Sequence, residues 1–507
     1  MSTARTWAVA LTGVDGHLVE VEADLSNQTP EFRIIGLPDK SLGEAVQRVH
    51  NACKNTGLDL PRRRLTVNLS PASLPKQGAG FDLAIAVASL AAGGSIAARS
   101  IAATVHIGEL GLDGRVRPVP GVLPAVFAAA RAGFDAVIVP RGNEAEAKLV
   151  KGIEVRGASS LAEVAVWHGA DVEVPEVATV HPPTVAMREG SDLDLSEIVG
   201  QEEAVDALTV AAAGGHHLLL SGPPGAGKTM LARRLPGIMP PLDEQDALEV
   251  ASVKSLSGEH VATLDRVPPL EAPHHSASVA ALVGGGSRAA RPGAIARAHC
   301  GVLFLDEAAE FSRVALDALR QPLEAGVIEV NRAGFTAHFP ARFQLLLAMN
   351  PCPCGNHGVR GAECTCPPMA IRRYSGRLSG PLRDRIDIDL QVNRVAASRA
   401  AGVGRTTTSK ARSQVVAARA RAAQRWKSTP WRRNADVPGT WLRQGELRLP
   451  AATRFPLDRA LERGALTLRG YDRVLRVAWT MADLAGLDRP GSDEIGLALH
   501  LRGGLLR

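Results

Sequence analysis

Residues 218–229, with the sequence LLLSGPPGAGKT, constrain this chain more than any other segment. An apolar run, a glycine-rich turn and Lys-Thr match the pattern G-x-x-x-x-G-K-[ST]. Glycines let backbone N–H groups turn toward an anion, and a helix beginning near the lysine adds its positive dipole end. The segment therefore predicts a nucleotide-phosphate loop, against the alternative of a glycine-rich turn that happens to carry a lysine. The residues predicted to contact the nucleotide are Gly222, Pro223, Pro224, Gly225, Ala226, Gly227, Lys228 and Thr229.

A second apolar run ends in two carboxylates. Residues 301–307, GVLFLDE, predict a buried strand followed by Asp306 and Glu307. Because ligands gather at the carboxyl ends of parallel strands, both side chains are expected beside the phosphate loop. Asp306 and Thr229 are predicted to hold Mg²⁺, and Glu307 to orient and deprotonate the attacking water. A strand could also end in Asp-Glu for capping alone.

A third apolar run, residues 343–349, ends in Asn350. Its amide offers both a donor and an acceptor, so we expect it to sense the γ-phosphate and hold the lytic water. Arg385, in PLRDRIDIDL, and Arg469 are predicted to bind the phosphoryl oxygens in the transition state. The residue pattern alone selects these two arginines only weakly among the many in this region.

Positive charge is concentrated toward the end of the chain. The net charge is +6, but residues 371–507 carry 27 Lys/Arg against 12 Asp/Glu, and residues 391–435 carry 11 basic residues and no acidic one. This predicts a polyanionic partner, with a solvated helix face as the alternative. Trp426, Trp431 and Trp441 lie among these arginines. They either stack on bases or pack beneath arginine side chains.

The 507 residues predict an α/β protein with more than one domain. Residues 1–172 alternate short strands and helices, 173–193 form a proline-rich acidic linker, 194–395 contain the nucleotide motifs, and 396–507 are helical and basic. We find no secretory signal and no membrane span, and expect a cytoplasmic protein.

Four of the six cysteines form the pattern C-x-C-x₉-C-x-C directly after Asn350. Cys352, Cys354, Cys364 and Cys366 predict a zinc site that staples the loop, with His357 as a possible substitute ligand. Unmetallated structural thiols are the alternative. His274 and His275 form a second candidate pair, but no third ligand lies at helical spacing from them, so no metal is predicted there.

Six segments of this chain resemble the magnesium-chelatase-like AAA+ ATPases named for ComM and YifB. They are the phosphate loop, LFLDE, AMNPCPCG, SGPLRDRID, LTLRGYDRVLRVA and APHHSAS. The resemblance runs essentially end to end. It implies a homohexameric ring with ATP between subunits. Arg385 would be the finger inserted into the neighbour's site, and Arg469 the sensor-2 arginine of a helical lid.

Three further expectations follow from the resemblance. Residues 327–340 alternate around an Ala-Gly turn and predict a β-hairpin, similar to the pre-sensor hairpin of MCM-type rings, in which Arg332 matches a DNA-contacting position. Residues 274–286 resemble an insert that also faces the pore. The N-terminal domain resembles the Lon-protease C-terminal (S5-like) fold. Leu123 stands where Lon has its catalytic lysine, and residues 76–82 lack a serine, so this domain is predicted to be peptidase-inactive.

The sequence therefore favours an ATP-hydrolysing hexameric motor on DNA, a helicase or branch-migration translocase. A chelatase-type ATPase that remodels a protein complex without DNA is the second hypothesis. A DNA-binding scaffold that uses ATP only to close its ring is the third.

Overall fold

The fold is built on two large sheets, one formed by strands within residues 2–158 and one by strands within residues 218–391. The computed structural model describes residues 2–36, 43–181, 193–285, 291–332, 335–359, 361–395 and 406–502. Residues 171–181 contain no helix or strand, and 182–192 lie outside the described part. The predicted linker is therefore described only at its two ends.

The N-terminal sheet has seven strands. Its two long strands pair antiparallel around a tight turn in which Gly13 has a φ of 70°. In spatial order the strands are Glu31–Ile35, Arg64–Ser70, Asp15–Ser26, Ser2–Thr12, Thr104–His106, Ala136–Pro140 and Glu154–Ala158. The helices are Ala45–Asn55, Asp82–Ala92, Ala98–Ile101, Val122–Arg131, Glu144–Ala147 and Leu161–Trp167, with a 3₁₀ turn at Arg141–Asn143 and a two-strand ribbon of Glu109–Leu110 and Val116–Arg117.

The strand Ser2–Thr12 was not predicted from the sequence. Its inward-facing residues include Ala4, Thr6, Ala8 and Ala10, which are all buried. Three of these four are alanines, which have low strand propensity, so the alternation carries little hydrophobic signal.

The second sheet has five strands that all pair parallel. Every residue of its three central strands is buried, which explains why each appears in the sequence as a continuous apolar run. In spatial order the strands are Leu270–Glu271, Val302–Leu305, Gln344–Met349, Leu218–Ser221 and Ile388–Gln391. The three buried strands predicted from the sequence are therefore confirmed.

Helices and short strands surround this sheet. The predicted hairpin is confirmed as the antiparallel pair Val327–Arg332 and Phe335–Pro340, with residues 333–334 outside the described part. The helices are Glu202–Gly214, Lys228–Ile238, Glu244–Leu256, Val279–Val283, Ala294–Arg297, Arg313–Asp317, Arg320–Ala325, Pro368–Ser375 and Gly380–Arg383, with 3₁₀ turns at Leu195–Glu197 and Ala308–Glu310 and a ribbon of Gly284–Gly285 with Arg291–Pro292.

The C-terminal region is helical, as predicted, and shares one hydrophobic core with the second sheet. Trp426 is 1% exposed and donates through Nε1 to Asn434 Oδ1 at 3.0 Å. Packing rather than base stacking is therefore the role of Trp426. The helices of this lid are Thr408–Arg425, Gly439–Arg443, Ala451–Glu462, Leu468–Ala485 and Ser492–His500, with 3₁₀ turns at Asn434–Asp436 and Gly445–Leu447.

A buried charge pair joins the lid to the amino ends of the parallel strands. Arg473 of the lid pairs with Asp387, whose Oδ2 also accepts from the His217 N–H at 3.0 Å. Burial alone would raise the pKa of Asp387, but the adjacent Arg473 guanidinium holds that pKa well below its usual value. The pair therefore depends on both partners being present.

Arg473→Leu is expected to lower the free energy of unfolding by about 3–5 kcal/mol, because it leaves the Asp387 carboxylate buried without its partner. Urea unfolding at pH 7 measures this change. Arg489→Leu removes an exposed arginine of the same lid and should change stability by less than about 0.5 kcal/mol. Equal stability of the two variants would contradict the structural role given to Arg473.

Candidate nucleotide-binding site

The phosphate loop begins where the strand Leu218–Ser221 ends, and the helix Lys228–Ile238 follows it. Gly225 and Gly227 have φ values of 76° and 88°, a left-handed conformation that favours glycine. Gly222 is needed for a different reason, because a Cβ there would lie 2.1 Å from the Val392 carbonyl oxygen. Backbone conformation and close packing together fix the loop in front of the helix N-terminus.

Lys228 folds back over this loop. Its Nζ donates to the carbonyl oxygens of Gly222 at 2.6 Å and Pro223 at 3.0 Å, and to Asn350 Oδ1 at 3.1 Å. These three oxygens accept the hydrogen bonds that Lys228 would donate to phosphate oxygens of a bound nucleotide. Burial lowers the pKa of Lys228, while the charges of Asp306 and Glu307 oppose that effect. Asn350, predicted from the end of a different strand, thus lies within reach of the same ligand atoms.

Thr229 and Asp306 form the pair of oxygen ligands predicted for Mg²⁺. Thr229 Oγ1 donates to Asp306 Oδ2 at 2.6 Å, and Asp306 Oδ1 accepts from the Glu307 N–H at 2.9 Å. Mg²⁺ bound with a nucleotide takes only one or two protein ligands and completes its shell with phosphate and water oxygens. The hydroxyl and carboxylate present therefore fit a magnesium–nucleotide complex.

Glu307 follows Asp306 in a left-handed conformation, with φ of 51°, which is unusual for a residue with a Cβ. Such backbone strain is concentrated at functional sites. Glu307 Oε2 lies 3.2 Å from Nδ1 of His275. In the sequence His275 stands out only as one of two adjacent histidines, and its contact with Glu307 could not be predicted because the two residues are 32 positions apart.

Two further residues contact the phosphate loop. Gln201 Nε2 donates to the Ala226 carbonyl oxygen at 3.2 Å. Gly355, in the cysteine-rich loop, lies so close that a Cβ there would be 2.4 Å from Pro224 Cδ. Neither contact has a short sequence pattern that could have predicted it, since both depend on how separate loops pack.

Arg385 and Arg469 lie near the amino-terminal ends of the parallel strands, whereas the phosphate loop lies at their carboxyl-terminal ends. Arg385 precedes the strand Ile388–Gln391, and the carboxyl end of that strand pairs with Ser221. The three steps from Ile388 to Gln391 span about 10 Å at 3.3 Å per residue. Arg385 precedes Ile388, and it lines a cavity with residues that precede the other strands, Gly215 and Gly301. The structure therefore does not bring the two predicted arginines to the site formed by Lys228 and Asp306.

The two arginines line a cavity of about 930 Å³ near these amino-terminal ends. Arg385 pairs with Glu324 and donates through Nη1 to the Pro381 carbonyl oxygen at 2.6 Å. Burial lowers the pKa of Arg385, and nearby arginines lower it further. Arg469 is mostly exposed, with Nη1 3.7 Å from Asp384 Oδ2. Both guanidinium groups thus lie together on a surface away from their own phosphate loop.

The four predicted cysteines converge in one loop. All four sulfur atoms lie within 4.8 Å of one another, and Cys352 Sγ is 3.4 Å from Cys354 Sγ and 3.7 Å from Cys364 Sγ. A tetrahedral zinc ion with Zn–S bonds of about 2.3 Å separates its sulfurs by about 3.8 Å, so the donor set fits zinc.

Backbone groups support the same cluster. A hydrogen bond from the Asn356 backbone lowers the pKa of Cys354 to about 6, whereas burial and the neighbouring sulfur atoms raise the pKa of Cys364 to about 11 against a hydrogen bond from the Cys366 backbone, so without a metal the cluster favours one thiolate rather than four. His357 contributes its backbone N–H to Cys352 Sγ at 3.3 Å. Within the described part of the chain, the four cysteines are the one group of three or more side chains placed to hold a metal.

Arg332 ends the strand Val327–Arg332, and its side chain lies outside the described part of the structure. Its predicted DNA contact therefore stays a prediction. No helix in the described ranges is both long enough and apolar enough to cross a membrane.

A parallel sheet with a phosphate loop, an adjacent Thr–Asp pair and a helical lid defines the AAA+ class of P-loop ATPases. Comparison with known families gives three matches. Residues 194–400 match "Magnesium chelatase, subunit ChlI", residues 21–143 match "Subunit ChlI of Mg-chelatase", and residues 405–502 match "Magnesium chelatase, subunit ChlI C-terminal".

Individual relatives extend this result. An uncharacterized protein of Mycobacterium tuberculosis is 49% identical, covering 99% of both chains. Competence protein ComM of Haemophilus influenzae is 40% identical over 99% of this chain and 98% of its own. The chain therefore belongs to the ComM/YifB family of magnesium-chelatase-like AAA+ ATPases. Membership implies ATP and Mg²⁺ as cofactors.

The match to a Lon protease is partial. The Lon protease of Mycolicibacterium smegmatis is 28% identical over 172 residues, which cover 31% of this chain and 21% of that protein. Together with the mixed N-terminal sheet, this supports the predicted Lon-like α/β fold. Leu123, at the position expected for the catalytic lysine of Lon, is fully buried.

Proposed function

We propose that this ATPase works as a homohexameric ring that moves along DNA, as a helicase or branch-migration translocase. The observation that carries the proposal is the separation of the site into two halves. The carboxyl ends of the parallel strands carry Lys228, Asp306, Glu307 and Asn350, whereas Arg385 lies near their amino ends. In the proposed assembly, an arginine so placed contacts a phosphate in a neighbouring subunit, and repeated head-to-tail contacts of that kind form a ring when the rotation between subunits closes.

The proposed division of labour follows from the chemistry of each group. Residues 222–229 hold the phosphates, Thr229 and Asp306 hold Mg²⁺, and Glu307 takes a proton from the attacking water. Asn350 orients that water beside the γ-phosphate. Arg385 and Arg469 of the adjacent subunit neutralise charge that develops on the phosphoryl oxygens. Hydrolysis would then depend on the subunit interface.

DNA as the track is supported by the hairpin of Val327–Arg332 with Phe335–Pro340 and by the positive C-terminal region. Some of these arginines instead form ion pairs and hydrogen bonds within the protein. Arg425 pairs with Asp483, and Arg419 donates to the Ala212 carbonyl oxygen, with burial lowering its pKa to about 9. The hairpin with Arg332, rather than the lid as a whole, is therefore the main proposed DNA contact.

A second function is favoured by the family descriptions, which name a magnesium-chelatase subunit. In that case the ring would remodel a protein complex, and its ATP turnover would not respond to DNA. Internal pairing of the lid arginines is compatible with this alternative. Scaffolding without hydrolysis, the third possibility, would leave Glu307→Gln fully active.

ATP turnover is expected to rise when single-stranded or forked DNA is added, and this stimulation should fade as salt increases, because phosphate contacts release counterions. Lys228→Ala should have no turnover under any condition. Steady-state turnover at several salt concentrations measures both effects. Intact turnover that no nucleic acid changes would favour the protein-remodelling function.

Mixing two inactive variants tests whether Arg385 acts on the neighbour. Arg385→Ala keeps an intact phosphate loop, and Lys228→Ala keeps an intact Arg385. Random mixing should restore about a quarter of wild-type turnover, because about a quarter of heterologous interfaces then pair an intact loop with an intact arginine. Arg383→Ala, which removes a nearby arginine paired with Asp389, should stay active alone. Mixtures no more active than their parents would contradict action between subunits.

We also propose that Cys352, Cys354, Cys364 and Cys366 bind one structural zinc ion. Metal analysis of purified protein should give about one equivalent per chain, and Cys364→Ser should lose it. Cys300→Ser, outside the cluster, should retain it. Under about 0.3 equivalents in wild-type protein that is still folded would contradict the proposal.

A further inference from the structure

A cavity of about 300 Å³ lies between the N-terminal domain and the ATPase core. The N-terminal domain contributes Asn143 and Glu146 to its wall, and the core contributes residues 255–259. The Gly121 N–H donates to the Ser255 carbonyl oxygen at 3.0 Å, and this hydrogen bond joins the two sides. A ligand in this cavity would therefore contact both domains.

Glu146 is buried in the cavity wall with one carboxylate oxygen unpaired. The residue is 2% exposed, and its Oε1 accepts from Asn143 Nδ2 at 2.6 Å. Asn143 is itself held in place, because its Oδ1 accepts from the Val119 N–H at 3.0 Å. Glu146 Oε2 has no hydrogen-bond partner among the described residues. Because an unpaired buried carboxylate oxygen is costly, the geometry leaves a position for a donor from outside the chain.

The charges around the cavity favour a cation over an anion. The helix Glu244–Leu256 ends at the cavity, so the negative end of its dipole faces the site. Glu259 adds a second carboxylate to the lining. Among the described residues that line the cavity, Arg291 is the one basic residue, and it is exposed. The donor that meets Glu146 is therefore expected to carry positive charge.

The walls and the size of the cavity restrict the rest of the ligand. Pro118, Pro120 and Leu256 line it with apolar surface, which suits an alkyl chain. Its volume is at the lower end of the range of ligand pockets, about 300–1,000 Å³, so a short chain fits better than a nucleotide. Pro120 is exposed and Ser257 is partly exposed, so the cavity can be reached from solvent.

We propose that this cavity binds a primary ammonium group on a short alkyl chain, with the ammonium donating to Glu146 Oε2 and the chain lying against Pro118 and Pro120. Small aliphatic amines and the lysine side chains of a partner protein share this chemistry. The site is separate from the phosphate loop and does not depend on DNA as the track. Its occupant would link the N-terminal domain to the end of a core helix.

Saturation-transfer difference NMR of the full-length protein at pH 8 tests the proposal with two probes, n-butylammonium and N-acetyl-lysine amide. Both should bind saturably, whereas n-butanol, which keeps the chain and lacks the ammonium, should bind at least about tenfold more weakly. Tighter binding of N-acetyl-lysine amide would assign the site to a lysine side chain, and tighter binding of n-butylammonium to a free amine. Absence of saturable binding of either probe would overturn the proposal.

Two neighbouring glutamates provide a variant and its control. Glu146→Gln should weaken both probes by about tenfold or more, the effect of losing a hydrogen bond to a charged group. Glu144→Gln, which removes a carboxylate paired with Lys148 outside the cavity, should bind like wild type. Binding unchanged by Glu146→Gln, or weakened equally by both substitutions, would also overturn the site.

The pH dependence of binding tests the site in the wild-type protein and so does not require a folded variant. Burial raises the pKa of Glu146 to about 7, and the side chains of Asn143 and Ser255 partly offset this effect. The carboxylate is therefore mostly protonated at pH 6 and mostly ionised at pH 8, while an alkylammonium stays charged at both. Affinity should rise about tenfold between these pH values. Equal affinity at both would indicate binding to exposed carboxylates and contradict the proposal.

Discussion

Parallel pairing of the strand Leu218–Ser221 with its neighbours is the constraint on which the nucleotide site depends. Because all the strands point the same way, the phosphate loop, Asp306 and Asn350 emerge at one edge although they are far apart in sequence. The same geometry sends Arg385 to the other edge. Both the grouping of the phosphate-loop residues and the distance of Arg385 from them are thus consequences of one sheet, and they are the basis of the proposal that hydrolysis takes place at a subunit interface.

Around that sheet, the contacts tie distant parts of the chain to the phosphate loop. Asn350 accepts from Lys228, and five residues later Gly355 packs on Pro224, so the cysteine cluster is attached to the loop that holds the nucleotide. The N-terminal domain reaches the ATPase core as well: the Val14 N–H donates to the His338 carbonyl oxygen of the hairpin at 3.2 Å. A movement of the hairpin would therefore change or break this contact with the Lon-like domain.

Much of this site could be predicted from the sequence, because its residues occupy fixed positions relative to buried strands. The glycines, Lys228, Thr229, Asp306, Glu307 and Asn350 each follow an apolar run whose direction is known. His275, Gln201 and the Arg473–Asp387 pair could not be predicted, since each joins segments whose separation depends on tertiary packing. The strand Ser2–Thr12 could not be predicted because alanines fill its inner face. The role of Trp426 in the tryptophan–arginine tract could not be decided from the sequence, and the structure shows that its side chain is buried.

A cryo-electron microscopy structure of the Glu307→Gln variant assembled with ATP and Mg²⁺ tests the composite site most directly. Slow hydrolysis should trap ATP in the loop of residues 222–229. We expect the Arg385 guanidinium of the adjacent subunit within hydrogen-bond distance of the γ-phosphate, having left Glu324 of its own chain. ATP bound in every loop while each Arg385 still pairs with its own Glu324, remote from any phosphate, would contradict a site built from two subunits.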